Sequence, residues 1–472
     1  MTTLNRLATM NRLATMTPTD VTSNRVIVWL MSAQQNLAER SMAVGLRALN
    51  WLAASDLLDR VGLREPTERL LHGASKNTAR TAARAGRTFA AAQKLSRAAR
   101  QPKASGTDLF DLEPTDEQQM LRDSVKDFAL AKLRPAAEQA DAACAASAEL
   151  LAQANELGLS MVGVPEELGG AVEQRSAVTS VLMSEALAQG DMGLAVAFLA
   201  PAGVSTAISL WGDAGQQSTY LPEFLGENVP AAALALLEPR ALFDPFRLAT
   251  RAREANGGFV LDGVKSLVPR AGDGELFIVG AELEGTGPAL FIVESRAHGI
   301  SVEPEPAMGI RAAGTGRLIF EGVKLSAEAL LGAGDPAVYA ECVQLGRLGW
   351  CAVALGTGQA VLDYVVRYVN ERRAFGEPIS NRQAVAFSVA NIAIELDGMR
   401  LATYRAASRV DQSLSFAREA ALARRLCAER GMAIGSDGVQ LLGGHGYVKE
   451  HPVERWYRDL RSTGVIEGAL LV

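Results

Sequence analysis

The sequence predicts an α+β fold: an N-terminal helical domain, a small central β domain and a C-terminal helical bundle. A basic helical extension precedes them. Three observations predict it. Helical periodicity sets in at Glu113, strand-like runs fill 231–325, and long helical runs return from Ser326 onward. The expected divisions are 1–105 for the extension, 106–230 for the first helical domain, 231–325 for the β domain and 326–472 for a four-helix-type domain.

The extension is set apart by charge. Residues 1–105 carry 16 Lys/Arg against 6 Asp/Glu, whereas the whole chain has a net charge of −6. No acidic residue occurs between Arg69 and Thr107, and Lys76, Arg80, Arg84, Arg87 and Lys94 share one face if that stretch is helical. Such a face is a solvated surface, or a docking surface for anionic membrane, nucleic acid or a partner protein. Asn5–Met10 recurs as Asn11–Met16, a local duplication rather than a solenoid, and 101–106 read as a linker.

In the first helical domain Thr115, ahead of Glu117 and Gln118, is the expected N-cap. Met120, Leu121, Val125, Phe128 and Ala129 form the expected apolar stripe. Helical pattern continues to about Leu225, broken by a loop at Gly169-Gly170. Met192–Trp211 carries no charge and is long enough to span a membrane, which takes about 18 residues or more. Pro201, Gly203, Ser205, Thr206 and Ser209 interrupt it, so it reads as buried core helix and turn. The β domain is expected to hold strands at Gly258–Val264, Leu276–Ala281, Ala289–Glu294, Ile300–Pro304 and Gly316–Val323. The bundle is expected to use Val343–Arg372, Asn381–Asp411 and Ser415–Leu442, whose long apolar faces also suit an oligomer core.

Composition is ordinary for a globular chain, with 48% hydrophobic and 21% charged residues. Neither a signal peptide nor more than a weak transit-peptide pattern is read at the start. Cys144, Cys342, Cys351 and Cys427 form no C-x-x-C pair and read as buried small hydrophobes in a reducing compartment. The histidines, His72, His298, His445 and His451, show no H-E-x-x-H spacing, and no metal site is expected. Spacing alone leaves a Ser-His-Asp triad open, but no G-x-S-x-G elbow is present.

Three late motifs carry chemistry. Arg372-Arg373-Ala374-Phe375-Gly376-Glu377-Pro378-Ile379 is followed by Gln383. Gln440-Leu441-Leu442-Gly443-Gly444-His445-Gly446-Tyr447 comes next. Arg455-Trp456-Tyr457-Arg458-Asp459 then precedes Val465-Ile466-Glu467-Gly468. Arg372 offers a forked donor to phosphate, and Gly443 and Gly444 let backbone amides approach a ligand closely. Taken alone, Gly443-Gly444 is a helix C-cap with a turn, and Arg372 a surface arginine. Glu467 lies among apolar neighbours, and taken without its motif it reads as an exposed tail carboxylate. Burial there would favour its protonated form, as suits a base.

In this order and spacing the motifs resemble the acyl-CoA dehydrogenase family over about 106–472. Weaker matches stand at Val164–Gly170, Leu237-Glu238-Pro239 and Met308-Gly309-Ile310-Arg311. The resemblance implies FAD as cofactor, held by Arg372, Phe375, Gln383, Gln440, Gly443 and Gly444, with the Arg-Phe-Gly motif reaching the flavin of a neighbouring subunit. It implies Glu467 as the base that takes the substrate α-proton, and Arg347 and Gly468 at the acyl-CoA. The resemblance further implies that the backbone amide of Glu467, with a flavin ribose hydroxyl, polarises the thioester. Some members carry the base on an earlier helix, where this chain has Gly346. The implied partners are an acyl-CoA, an electron-transfer flavoprotein as acceptor, and further copies in a homodimer or homotetramer, or a hetero-oligomer. The expected placement is cytoplasmic, with the basic arm able to sit peripherally on a membrane.

The middle-domain motifs depart from the family. T-E-P-G-x-G-S-D reads Leu237-Glu238-Pro239-Arg240-Ala241-Leu242-Phe243-Asp244, and W-I-T-N reads Leu267-Val268-Pro269-Arg270. A weaker or differently built flavin grip is expected, since a missing hydrogen bond to a buried polar atom costs about 1–3 kcal/mol. Two readings stay open: an FAD-dependent acyl-CoA dehydrogenase in fatty-acid metabolism, and a flavin-poor paralogue acting as partner subunit or binding protein.

Overall fold

A computed structural model describes residues 110, 113–226 and 228–472. The expectations for the basic extension and its linker lie outside the described residues.

Helix α1 (Asp116–Phe128) starts at a capping box. The Thr115 hydroxyl accepts from the Gln118 amide at 3.2 Å, and Gln118 Oε1 accepts from the Thr115 amide at 3.0 Å. The buried face is Val125, Ala129 and Leu133, while Met120 is 69% exposed. Of the expected stripe only Met120 turns outward; Val125 and Ala129 are buried and Phe128 packs against the same core. The helix then passes through a π turn, Ala129–Leu133, into α2 (Arg134–Ala143). Next come α3 (Ala148–Asn155), α4 (Ala177–Ala188), α5 (Met192–Trp211) and α6 (Ala214–Phe224). Asp191 caps α5, which is buried on nearly all sides and continuous through Pro201, so the expected turn is absent. Proline forfeits one helical hydrogen bond. Here packing on every side outweighs that loss.

The β domain is one mixed sheet. Its strands are β1 (Ala232–Ala235), β2 (Arg251–Ala255), β3 (Gly258–Val268), β4 (Leu276–Leu283), β5 (Gly287–Glu294), β6 (Ile300–Pro304), β7 (Gly316–Ser326) and β8 (Leu330–Leu331). The order is β6-β7-β3-β2-β4-β5-β8, with β1 paired in parallel to β4. Inside it Lys265 Nζ meets Glu238 Oε1 at 2.9 Å and the Leu236 carbonyl at 3.1 Å. Glu238 also accepts from the amides of Ala249 (2.7 Å) and Thr250 (2.8 Å). Burial pushes the Lys265 amine down to about 8, against the attraction of Glu238.

Helix α7 (Pro336–Glu371) is the long axis of the bundle, and α8 (Gln383–Asp411), α9 (Ala417–Leu442) and α10 (Val453–Ser462) pack around it. The α10 motif residues act as clamps. Arg455 Nε donates to Asp191 at 3.0 Å, and Arg458 makes a forked contact with Asp141 at 2.9 and 3.1 Å. Asp459 accepts from the Ile310 amide at 2.6 Å, holding Ile310 at a φ of 48°. The Met308–Arg311 motif is thereby fixed to the bundle. After α10 the chain runs as a buried tail between β1 and α7. The Ala469 amide donates to the Leu234 carbonyl at 3.1 Å, and Trp350 Nε1 donates to the Gly468 carbonyl at 2.8 Å.

Candidate active site

The tail sets Glu467 at the meeting point of three elements. Ile466, Ala469 and Leu470 are each 2% exposed, and their burial anchors the backbone on either side of the carboxylate. Gly468 stands at a φ of 77°, and a Cβ there would come within 2.8 Å of Leu236 Cγ. Only glycine meets both demands. Across the tail, Gly346 of α7 lies so close that its Cβ would sit 2.9 Å from the Leu470 carbonyl oxygen. The position where some family members carry the base is therefore filled here by the tail itself.

The Glu467 side chain is 12% exposed and forks with Arg347 of α7. Arg347 Nε lies 3.1 Å from both carboxylate oxygens, and Nη2 lies 2.9 Å from Oε1. The expected apolar surroundings are corrected. Ile466, Ala469 and Leu470 are apolar and buried, whereas Val465 is exposed, and the extended tail turns the carboxylate onto a guanidinium. Arg347 also lies over the Phe246 ring, 6.0 Å from its centroid. A second arginine, Arg424 of α9, donates to the Ile466 carbonyl at 2.5 Å and has its Nη2 4.0 Å from Glu467 Oε1. Burial lowers the pKa of Arg424, opposed first by the charge of Glu467. Sequence reasoning missed Arg424. Its signal was an arginine in register with Ala420, Ala423 and Cys427 on the buried face of α9.

The other expected residues form a separate group at the far end of α7 and its neighbours. Arg372 caps α7. Arg373–Ala374 pairs with Glu377–Pro378, leaving Phe375 and Gly376 at the hairpin tip with φ of 56° and 86°. Phe375 is 94% exposed. Gln383 opens α8, Gln440 lies in the last turn of α9, and both are exposed. Gly443 caps α9 at a φ of 59°, and neither it nor Gly444 has any atom within 4 Å of a Cβ built there. An open backbone, an exposed forked cation and two amide side chains fit a pyrophosphate-bearing cofactor. On the middle-domain side, Leu237, Phe243 and Leu267 pack against the cluster holding Trp350, Ile466 and Leu470. The Ser266 hydroxyl and Leu267 amide are both taken by Glu305, at 2.9 and 2.8 Å.

A buried, arginine-forked carboxylate thus sits between a mixed β domain and a helical bundle, and a second, open group of donors stands at the far end of α7. Family models describe the same layout: the N-terminal domain of acyl-CoA dehydrogenase matches 115–227, the middle domain 233–323 and the C-terminal domain 337–470. The short-chain specific acyl-CoA dehydrogenase of Mus musculus is 33% identical over 372 residues, covering 76% of this chain and 88% of that protein. Among solved structures, butyryl-CoA dehydrogenase from Megasphaera elsdenii superposes with a TM-score of 0.70 at 29% identity, over 75% of this chain and 95% of that one. A chain from work on the electron transferring flavoprotein of Acidaminococcus fermentans gives the same values, TM-score 0.70, 29% identity and 75% and 95% coverage. The protein belongs to the acyl-CoA dehydrogenase family of FAD-dependent oxidoreductases.

Proposed function

We propose that the chain desaturates a short acyl-CoA thioester between its α and β carbons, with Glu467 as the base. The observation that carries this is the Arg347–Glu467 fork on a tail clamped between α7 and β1. Glu467 takes the α-proton, the C–H electron pair becomes the new double bond, and the β-hydrogen leaves as hydride. Bound FAD would supply the hydride acceptor. Arg347 fixes the carboxylate's orientation, and the Glu467 amide offers a hydrogen bond to the thioester oxygen, which makes the α-proton acidic. Gly468, without a side chain, keeps the tail close enough to β1 for that amide to be held still. The names of the mouse and Megasphaera relatives support a short chain.

Arg372, Phe375, Gln383, Gln440, Gly443 and Gly444 would hold the cofactor of a neighbouring copy. The apolar Leu237, Phe243 and Leu267 leave the middle domain fewer polar contacts to it than the family pattern has. An electron-transfer flavoprotein is the proposed electron acceptor, in keeping with the Acidaminococcus comparison.

The test is an anaerobic visible spectrum of the purified protein titrated with acyl-CoAs of increasing length. Flavin bands that bleach with a short chain, and do not bleach in Glu467→Gln, are the expected result. A colourless protein that takes up no FAD would overturn the reading in favour of the flavin-poor paralogue.

A further inference from the structure

No metal site was expected, because the histidines lack a helical ligand spacing. The structure nonetheless brings two of them together. The 3-10 turn Gly443–Tyr447 reverses the chain after α9, so that His445 faces His451 at the approach to α10. Their rings meet edge to face, with centroids 5.8 Å apart. Glu450 joins them, its Oε2 3.8 Å from His445 Nδ1. One ligand atom from each of His445, Glu450 and His451 lies within 4.8 Å of the others.

We propose that these three side chains bind one divalent cation of the zinc class. Two imidazoles and a carboxylate form a mixed nitrogen and oxygen set that suits zinc better than calcium or magnesium, with a fourth position left to water. A tetrahedral site with bonds of about 2.0–2.1 Å has donors about 3.3 Å apart. Closing the present separations, up to 4.8 Å, to that spacing calls for side-chain rotation. His445 and Glu450, with side chains 48% and 73% exposed, have their solvent sides open for it.

His451 is the fixed member. Its Nδ1 lies 2.6 Å from the Tyr364 hydroxyl, and its ring packs edge-on against Tyr364 and Tyr368, with centroids 5.9 and 5.6 Å away. The Tyr364 hydroxyl fixes the ring's orientation, the part that an outer hydrogen-bond partner plays for a ligating histidine. Nor do the donors satisfy one another. The 3.8 Å between His445 and Glu450 exceeds a hydrogen bond. The metal would clamp the turn that begins with Gly443 and Gly444 to the start of α10.

The experiment uses the full, tag-free chain, stripped of metal and titrated with Co²⁺, then with Zn²⁺ in competition. The expected result is one Co²⁺ per chain, seen as a ligand-field absorption that Zn²⁺ displaces. His445→Ala and His451→Ala each weaken binding at least tenfold. Tyr364→Phe keeps the stoichiometry but weakens binding about 10–100-fold, the usual effect of losing an outer partner. Circular dichroism of the metal-free variants should match that of the parent. A titration without saturable absorption would overturn the proposal, as would binding undiminished in the His445→Ala/His451→Ala double variant.

Discussion

At the scale of single residues, the pair that matters joins positions 120 apart in the chain. Arg347 presents a planar fork that a lysine cannot reproduce. Arg347→Lys should leave KM for acyl-CoA nearly unchanged and lower kcat about 10²-fold, the scale of a misplaced reacting group. Steady-state kinetics on flavin-loaded protein would check this, and an unchanged kcat would remove Arg347 from the positioning role. Glu467 was singled out in the sequence because a motif precedes it. Its environment was not, because neighbours along an extended tail say nothing about what lies across it. Arg424 was hidden for a related reason: a buried arginine inside a helix reads like any surface arginine until the tail that it holds is in view.

Secondary-structure elements show where local pattern suffices. The capping box on α1 was legible from Thr115 onward. Thr115→Ala should cost about 1 kcal/mol in chemical denaturation, the usual loss of an N-cap. Ile300–Pro304 has the bounds that its Val and Ile content predicted, whereas β1 and β2 were missed. One is four residues of Ala and Leu, and the other, Arg251–Ala255, has three charged residues of five and takes its place only by pairing with β3 and β4. Helix α10 was missed as a helix, although its motif was noted, because its buried face is built of Arg455 and Asp459 as well as Val453, Trp456 and Leu460.

That helix also carries a pH response. Burial, and then the nearby Asp191 carboxylate, push the Asp459 carboxyl up to about 8 from its ordinary 3.8. The folded protein thus holds a proton between about pH 4 and 8 that the unfolded chain has released, and stability falls as pH rises through that window. Asp459→Asn keeps an acceptor for the Ile310 amide and removes the titration. The melting temperature of the variant should vary less than the parent's between about pH 5 and 8. The tail gives a sharper case. Gly468→Ala adds a Cβ against Leu236 at a positive φ, and should cost about 1–3 kcal/mol together with most of the activity.

Across the whole molecule, helix, sheet and bundle were legible as changes of period, and the bundle's long apolar faces already suggested an oligomer core, though not which residues of each face stay exposed. Helix α8 exposes Phe387 (59%), Ile394 (67%) and Leu401 (49%) at every seventh position, a row suited to another helix. If the proposed assembly is right, Ile394→Glu should shift sedimentation to a smaller species and reduce bound flavin in the same preparation. A smaller species with full flavin would separate the two. Helix α7 gives this expectation a geometric basis. Arg347 and Arg372 stand 25 residues apart on one continuous helix, a rod that rises about 37 Å between them. No bending of side chains closes such a gap. The chain therefore carries a built-in ruler that keeps the Arg372 hairpin away from Glu467, and under the proposed function the two ends would serve a single reaction by sharing between copies.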